Sequence, residues 1–211
     1  MGLIGFLLQA VVISLSGVMA PGPVTAVTLA AGTRSRHAGA LMAVGHGIVE
    51  FPLMLLIMAG MGTLFQLRGV TTGIGFVGGA FLLFMGAQIL AGLSKRVDPT
   101  DKYVGKSPVW IGIILTGGNP YFLLWWATVG LALTTRALRF GPTAFALFAV
   151  IHWLCDLIWL ETLSWASFKG ARTLGLKSQR IVLAICALAL ILVGLIFLYD
   201  AGSRLPQLET G

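Results

Sequence analysis

Two histidine–carboxylate pairs are the residues of this chain whose types and spacing could support chemistry. His46 is followed four residues later by Glu50, and His152 by Asp156. Residues four apart share one face of a helix, so each pair would present an imidazole and a carboxylate side by side. A buried carboxylate beside a histidine can titrate near neutral pH, which suits proton coupling. The same four side chains form a plausible ligand set for a divalent metal ion. A third interpretation is that each pair is neutral and only stabilises the fold.

Both pairs lie within long apolar runs. The 211 residues are 57% hydrophobic and only 10% charged, and the mean hydropathy is +0.95. A soluble domain carries about 25% charged residues, so most of the surface of this chain is expected to face lipid. Ionised groups at membrane depth usually face a bundle interior or a wet cavity, which makes both pairs candidates for a functional role.

The apolar runs predict an all-α, polytopic membrane protein. A helix needs about 20 apolar residues to span the hydrocarbon core, and no alternation of period two indicates a barrel. Six segments qualify as transmembrane helices, at roughly 3–31, 39–63, 70–93, 108–133, 142–168 and 181–199.

One long hydrophilic connection divides these segments into two sets of three. Residues 94–107 would form a cytoplasmic linker between a first repeat, 1–93, and a second, 108–199, followed by a polar tail, 200–211. Three is an odd number, so two related halves would have opposite orientations in the membrane. The sequence therefore predicts two inverted three-helix repeats.

Proline-containing breaks interrupt the first helix of each half. Pro21, Gly22 and Pro23 lie within the first segment, and Asn119 and Pro120 within the fourth. Proline frees a backbone carbonyl and clashes with the preceding turn, so helices 1 and 4 are expected to be broken. Breaks at matching places in two halves indicate a substrate site near the midplane, although each could be a simple kink.

Aromatic residues directly follow the second break, and glycines fill the third segment. Tyr121 and Trp125, with their neighbours Phe122 and Trp126, could wall a substrate cavity or lie at the membrane interface. The spacing Gly75-x3-Gly79 permits close helix packing, within the chain or in a homodimer.

The positive charges indicate membrane topology rather than nucleic-acid binding. The net charge is +7, but no basic face with interleaved aromatics is present. Ten of the 14 cations lie in the 32–38, 94–107 and 169–180 loops, which places those loops in the cytoplasm and both termini outside. No Lys or Arg precedes Arg34, so the first apolar segment is interpreted as a retained helix of a multi-pass cytoplasmic-membrane protein.

The remaining ionisable and sulfur-containing residues indicate no further site. His37 is expected to be solvated, and Glu161 lies nearer a membrane face than Asp156. Cys155 and Cys186 show no CxxC spacing, so neither a disulfide framework nor a zinc site is indicated, and no cofactor is expected. The spacing His-x3-Glu is not His-Glu-x2-His, and no nucleophile–base set can be assembled, so an enzyme is not indicated.

Taken over the whole chain, the sequence resembles the LysE/RhtB family of amino-acid exporters. The residues that carry the resemblance are Ala20-Pro21-Gly22-Pro23, Gly39, Gly45, Gly47, Gly78-Gly79, Leu82-Leu83, Gly86 and Asn119-Pro120. The resemblance implies a six-helix protein, a dimer, that exports amino acids or similar metabolites with proton or cation coupling. It also implies that the residues of the two breaks line the substrate site.

Two features depart from the pattern expected of that family. Tyr121 follows Asn119-Pro120 where lysine is typical, and the two histidine–carboxylate pairs are unusual for a plain amino-acid exporter. The wider superfamily includes metal-ion exporters. A divalent metal-ion transporter that uses His46, Glu50, His152 and Asp156 as ligands is therefore the alternative interpretation.

Overall fold

A computed structural model describes residues 2–20, 22–60, 67–94, 106–173 and 175–204. Across these ranges the chain consists of helices and their connecting turns, with no strand. The predicted all-α class is therefore confirmed. Pro21 and residues 95–105 of the predicted linker lie outside the described residues.

The helices follow one another closely along the chain. Their bounds are α1 Leu3–Val18, α2 Pro23–Gly32, α3 Ala38–Met58, α4 Arg68–Ser94, α5 Pro108–Gly117, α6 Pro120–Trp125, α7 Leu131–Leu138, α8 Pro142–Thr173 and α9 Gly175–Arg204. A π-helical turn, Trp126–Gly130, joins α6 to α7.

The first and fourth apolar segments are interrupted where their prolines predicted it. Pro23 and Pro120 are each the first residue of a new helix, after α1 and α5 have ended. A proline at this position needs no hydrogen-bond partner for its nitrogen, and its ring fixes the backbone angle that starts a helix. Pro52 behaves differently, because α3 continues through it.

Two predicted boundaries on the C-terminal side are wrong. The predicted loop 169–180 is largely helical, since α8 continues to Thr173 and α9 begins at Gly175. Charge alone does not end a helix there: the Lys169 ammonium lies 3.6 Å from the centre of the Trp165 ring, one turn earlier on α8. Likewise, α9 extends to Arg204, past the predicted end at residue 199.

Within the part of the chain that the structure describes, three helical segments are long and apolar enough to cross a membrane. They are Ala38–Met58, Thr72–Ala91 and Pro142–Gly170, and shorter apolar helices lie at Leu3–Leu15, Pro23–Gly32, Pro108–Gly117 and Ala187–Ser203. The breaks explain why the first and fourth predicted spans appear as shorter pieces. Large apolar side chains are exposed along the outer faces, for example Ile4, Leu8 and Val12 on α1, as expected of surfaces in contact with lipid.

Helices of the two predicted halves interleave. The helix α3 packs against α5 and α8, α8 also packs against α1 and α2, and α4 packs along α9. A core of buried apolar side chains fills the space between α1, α3, α6 and α8, and includes Phe6, Met54, Phe122, Trp126 and Phe148.

Glycines allow α4 and α9 to approach closely. A methyl group at Gly79 would lie 2.8 Å from the Gly194 carbonyl oxygen, and one at Gly86 would lie 2.8 Å from the Ala187 carbonyl oxygen. The glycine-rich face of α4, including Gly75 opposite Ala201, is therefore used within the chain.

This packing predicts a difference between two glycines of the same helix. Gly86→Ala places a methyl group against α9 and is expected to lower the free energy of unfolding by about 1–3 kcal/mol. Gly73→Ala is the matched control, because a methyl group there has no neighbour within 4 Å, and it should leave stability unchanged or raise it. Thermal unfolding of both variants in detergent measures the difference, and equal midpoints would contradict the α4–α9 packing.

Candidate functional site

The two histidine–carboxylate pairs form a single cluster between α3 and α8. Nε2 of His46 and Nε2 of His152 both lie 3.1 Å from Oε1 of Glu50. Nε2 of His46 lies 3.6 Å from Oδ1 of Asp156, and Nε2 of His152 lies 3.7 Å from Oδ2 of Asp156. Each imidazole therefore faces both carboxylates. His152 is closer to Glu50, on the other helix, than to Asp156, its partner by sequence spacing.

Glu50 is the centre of the cluster. Its side chain is fully buried, and Oε1 also accepts a hydrogen bond of 3.3 Å from the indole Nε1 of Trp126. Three nitrogen atoms from three segments thus converge on one oxygen. A buried carboxylate requires such partners, because an unpaired charge in an apolar interior is very costly.

Two hydroxyl groups hold the outer nitrogens of the imidazoles. Nδ1 of His46 lies 2.9 Å from Oγ1 of Thr116, and Nδ1 of His152 lies 2.7 Å from Oγ of Ser14. Both hydroxyl residues are buried. A hydroxyl can donate or accept, so each contact orients its ring whichever nitrogen carries the proton. Neither residue was predicted from the sequence, because its only signal is a hydroxyl within an apolar segment, shortly before a proline break.

Aromatic rings enclose the histidines. Trp125 stacks on His152 with centroids 5.1 Å apart, Trp126 meets His152 edge-on at 5.3 Å, and Phe122 meets His46 edge-on at 5.3 Å. The π-helical turn begins at Trp126, whose ring occupies the space beside Gly130. Trp126 is fully buried, whereas Tyr121 and Trp125 are half-buried.

A cavity of about 590 Å³, including its open mouth, lies at the two breaks. It is lined by Gly17, Val18, Ala20, Gly22, Val24, Thr25, His46, Glu50, Asn119, Tyr121, Phe122, Trp125, Trp126, His152, Asp156 and Leu160.

Most of the residues predicted to bind substrate or coupling ions line this cavity. Gly22, Asn119, Tyr121 and Trp125 are in its wall, together with all four members of the cluster. Pro23 and Pro120 are buried beside it and shape the backbone instead, whereas Pro21 lies outside the described residues.

The helix ends at the two breaks differ in their hydrogen bonding. At the second break, Oδ1 of Asn119 accepts a 3.1 Å hydrogen bond from the Tyr121 backbone nitrogen, which caps α6. At the first break, Gly22 is the N-cap of α2 and no side chain caps the helix. Gly22, Val24 and Thr25 all line the cavity. Of the two helices that begin at the breaks, α2 therefore has no side-chain cap at its N-terminus, whereas α6 has one.

Two carboxylate oxygens of the cluster have no hydrogen-bond partner. They are Oε2 of Glu50 and Oδ2 of Asp156, and both are buried. An unsatisfied buried polar group costs about 1–3 kcal/mol, and more when it is charged. The cluster therefore has two acceptor atoms available to a further hydrogen-bond donor.

The remaining histidine lies outside the cluster. Nδ1 of His37 lies 2.6 Å from Oε1 of Glu161, and the other oxygen of Glu161 accepts a 3.0 Å hydrogen bond from the Ala40 backbone nitrogen. His37 was expected to be merely solvated. It is exposed, but it also joins the start of α3 to α8.

Comparison with protein families identifies the chain. The model of the LysE type translocator family matches residues 15–201, which include both breaks and the whole cluster. The chain belongs to the LysE family. No curated protein and no solved structure matches it. The family resemblance seen in the sequence is confirmed.

Membership in the LysE family makes this chain an integral membrane transporter. LysE proteins are translocators rather than enzymes, and the apolar helices of this member are consistent with that role.

The indole of Trp126 is expected to stabilise the buried Glu50 carboxylate. Trp126→Phe removes the donor but keeps an aromatic ring, and should lower the free energy of unfolding by about 1.5–3 kcal/mol, the range for hydrogen bonds to charged groups. On a Glu50→Leu background the same change should cost less, because the acceptor is gone. Denaturant unfolding of the four proteins measures this, with Trp110→Phe, an exposed site, as control. An equal loss of unfolding free energy in both backgrounds would contradict a stabilising hydrogen bond between Trp126 and Glu50.

Proposed function

We propose that this LysE-family protein exports amino acids or similar small metabolites across the cytoplasmic membrane, coupled to protons or another cation. One observation carries the proposal: the cavity combines unpartnered, buried carboxylate oxygens with an uncapped helix N-terminus. A zwitterionic amino acid carries the two groups complementary to these features.

The ammonium group of the substrate would bind at the cluster. An ammonium has three N–H donors, and Oε2 of Glu50 and Oδ2 of Asp156 are acceptors without hydrogen-bond partners. Hydrogen bonds between ionised partners are about twice as strong as neutral ones. A coupling proton or cation would compete for the same oxygens, which offers a physical basis for exchange between substrate and coupling ion.

The carboxylate group of the substrate would bind at the start of α2. Backbone N–H groups and the helix dipole make an uncapped N-terminus an anion site. The substrate side chain would then contact Tyr121, Phe122 and Trp125, which line the same cavity. This wall is mostly apolar, so small apolar or aromatic side chains fit it better than charged ones.

We propose that the helices are arranged in the membrane as two inverted repeats, and the packing between the two halves supports this arrangement. In the first half, α3 packs on α5 of the second half, and correspondingly α8 of the second half packs on α1 of the first. The hydroxyl contacts follow the same exchange: Thr116 of the second half holds His46 of the first, and Ser14 of the first holds His152 of the second. Such an exchange is expected of two related halves, 1–93 and 108–199, around a shared site. Six spans, a cytoplasmic linker at 94–107 and a homodimer complete the proposal.

Removal of the two carboxylate charges should abolish export. The double variant Glu50→Gln, Asp156→Asn keeps the side-chain shapes but loses the charges that would pair with the substrate ammonium and the coupling ion. Efflux of labelled amino acids from proteoliposomes, with and without a pH gradient, is expected to fall to the level of empty vesicles.

Asp200→Asn is the matched control, because it removes an acid that is exposed near the end of α9, away from the cavity lining. This variant should export normally. Full activity in the double variant would rule out the mechanism, and loss of activity in the control would show that the assay responds to any lost acid.

A comparison of substrates tests the second half of the binding scheme. An amine that matches a transported amino acid but lacks its carboxylate cannot use the α2 N-terminus, so it should compete poorly for export. An α-hydroxy acid of the same shape lacks the ammonium and should also compete poorly. Inhibition of labelled amino-acid efflux by each analogue measures both contributions, and strong competition by the amine would contradict the role of α2.

A further inference from the structure

We propose that His46, Glu50, His152 and Asp156 together bind one divalent transition-metal ion of the zinc class, in four-coordinate geometry. This ligand goes beyond amino-acid export, and its binding can be measured without any organic substrate. The argument rests on donor positions, ring orientation, charge and donor type.

The separations between the imidazole nitrogens and the carboxylate oxygens are close to those of a tetrahedral site. Bonds of 2.0–2.1 Å to nitrogen and oxygen place neighbouring ligand atoms of a tetrahedral zinc site about 3.3 Å apart. The four nitrogen–oxygen separations in the cluster are 3.1, 3.1, 3.6 and 3.7 Å. Ligand atoms of His46, Glu50 and Asp156 also lie within 4.8 Å of one another. His152 is not part of this three-residue group, so a four-ligand site requires its Nε2 to approach the other three donors.

Both imidazoles are oriented for metal coordination. Each directs Nε2 to the centre of the cluster and Nδ1 to a hydroxyl oxygen, Thr116 for His46 and Ser14 for His152. When Nδ1 donates its proton to the hydroxyl, Nε2 presents a lone pair. Metal-binding histidines almost always have such an outer hydrogen-bond partner, which sets the tautomer and the ring orientation.

The charge and burial of the cluster favour a dication. Two carboxylates and two neutral imidazoles sum to a formal charge of −2 in a site where Glu50 is fully buried. A divalent ion neutralises this charge. It would also lie close to the carboxylate oxygens that lack a hydrogen-bond partner, Oε2 of Glu50 and Oδ2 of Asp156.

The donor types select the class of metal. Two imidazoles and two carboxylates suit zinc, cobalt and similar ions. Calcium and magnesium require six or more oxygen ligands, which four side chains with two nitrogen donors do not supply.

The test is Zn²⁺ titration of the full chain in detergent by isothermal calorimetry, with neither amino acids nor chelators present. We expect one site per chain with submicromolar affinity, and no detectable binding of Mg²⁺. His152→Ala and Glu50→Gln should each abolish measurable binding. His37→Ala is the matched control, since this histidine lies outside the cluster, and it should bind Zn²⁺ as the unchanged protein does.

Co²⁺ provides a geometric readout that does not depend on affinity. Four-coordinate Co²⁺ absorbs visible light far more strongly than six-coordinate Co²⁺, so the unchanged protein should give the intense spectrum and His152→Ala should not. Gel filtration and thermal unfolding identify any variant that fails to fold, and Glu50→Gln, the nearly isosteric change, then carries the comparison.

The hydroxyl residues give a second, graded test. Ser14→Ala and Thr116→Val remove only the outer partners of the imidazoles and should weaken Zn²⁺ binding roughly 10- to 100-fold. No saturable Zn²⁺ binding, a six-coordinate Co²⁺ spectrum, or unchanged affinity in His152→Ala and Glu50→Gln would each overturn the proposal. Amino-acid efflux measured without metal separates this result from the proposed export function.

Discussion

The cost of burying charge in an apolar helix bundle is the constraint on which this structure depends. Two carboxylates and two imidazoles within membrane-length segments can be accommodated only if they satisfy one another. Both imidazoles meet at a single atom, Oε1 of Glu50, which receives contacts from α3, α8 and the π-helical turn. The Trp126 indole donates the third of these contacts, and the hydroxyl groups of Ser14 and Thr116 orient the two imidazoles from outside.

The two broken helices and the histidine–carboxylate cluster are in direct contact. Each broken helix contributes a hydroxyl from its first portion, Ser14 on α1 and Thr116 on α5, and each hydroxyl orients an imidazole on a helix of the other half. The short second portions, α2 and α6, then bring polar backbone and aromatic side chains to the cavity. An uninterrupted helix could provide the hydroxyl, but it would not offer the uncapped N-terminus of α2 at the same depth.

Much of this was predictable from the sequence, because the signals are local. Apolar runs specify the helices, prolines specify the breaks, and the i,i+4 spacing specifies which histidine and acid share a face. The cross-pairing of His152 with Glu50 was not predictable, since it depends on how α3 and α8 pack. Ser14 and Thr116 were missed for the same reason, as a lone hydroxyl in an apolar segment carries no spacing signal. The predicted loop at 169–180 failed because a cluster of charges can lie on a helix as readily as in a loop.

The shared oxygen of Glu50 has a mechanical consequence. One atom cannot follow two imidazoles on different helices if those helices separate, so any relative movement of α3 and α8 at this depth must lengthen at least one 3.1 Å contact. The binding of a ligand at the cluster therefore depends on the distance between α3 and α8. A ligand that shortens the contacts of the cluster disfavours separation of the two helices. By thermodynamic reciprocity, their separation lowers the affinity for that ligand by the same factor.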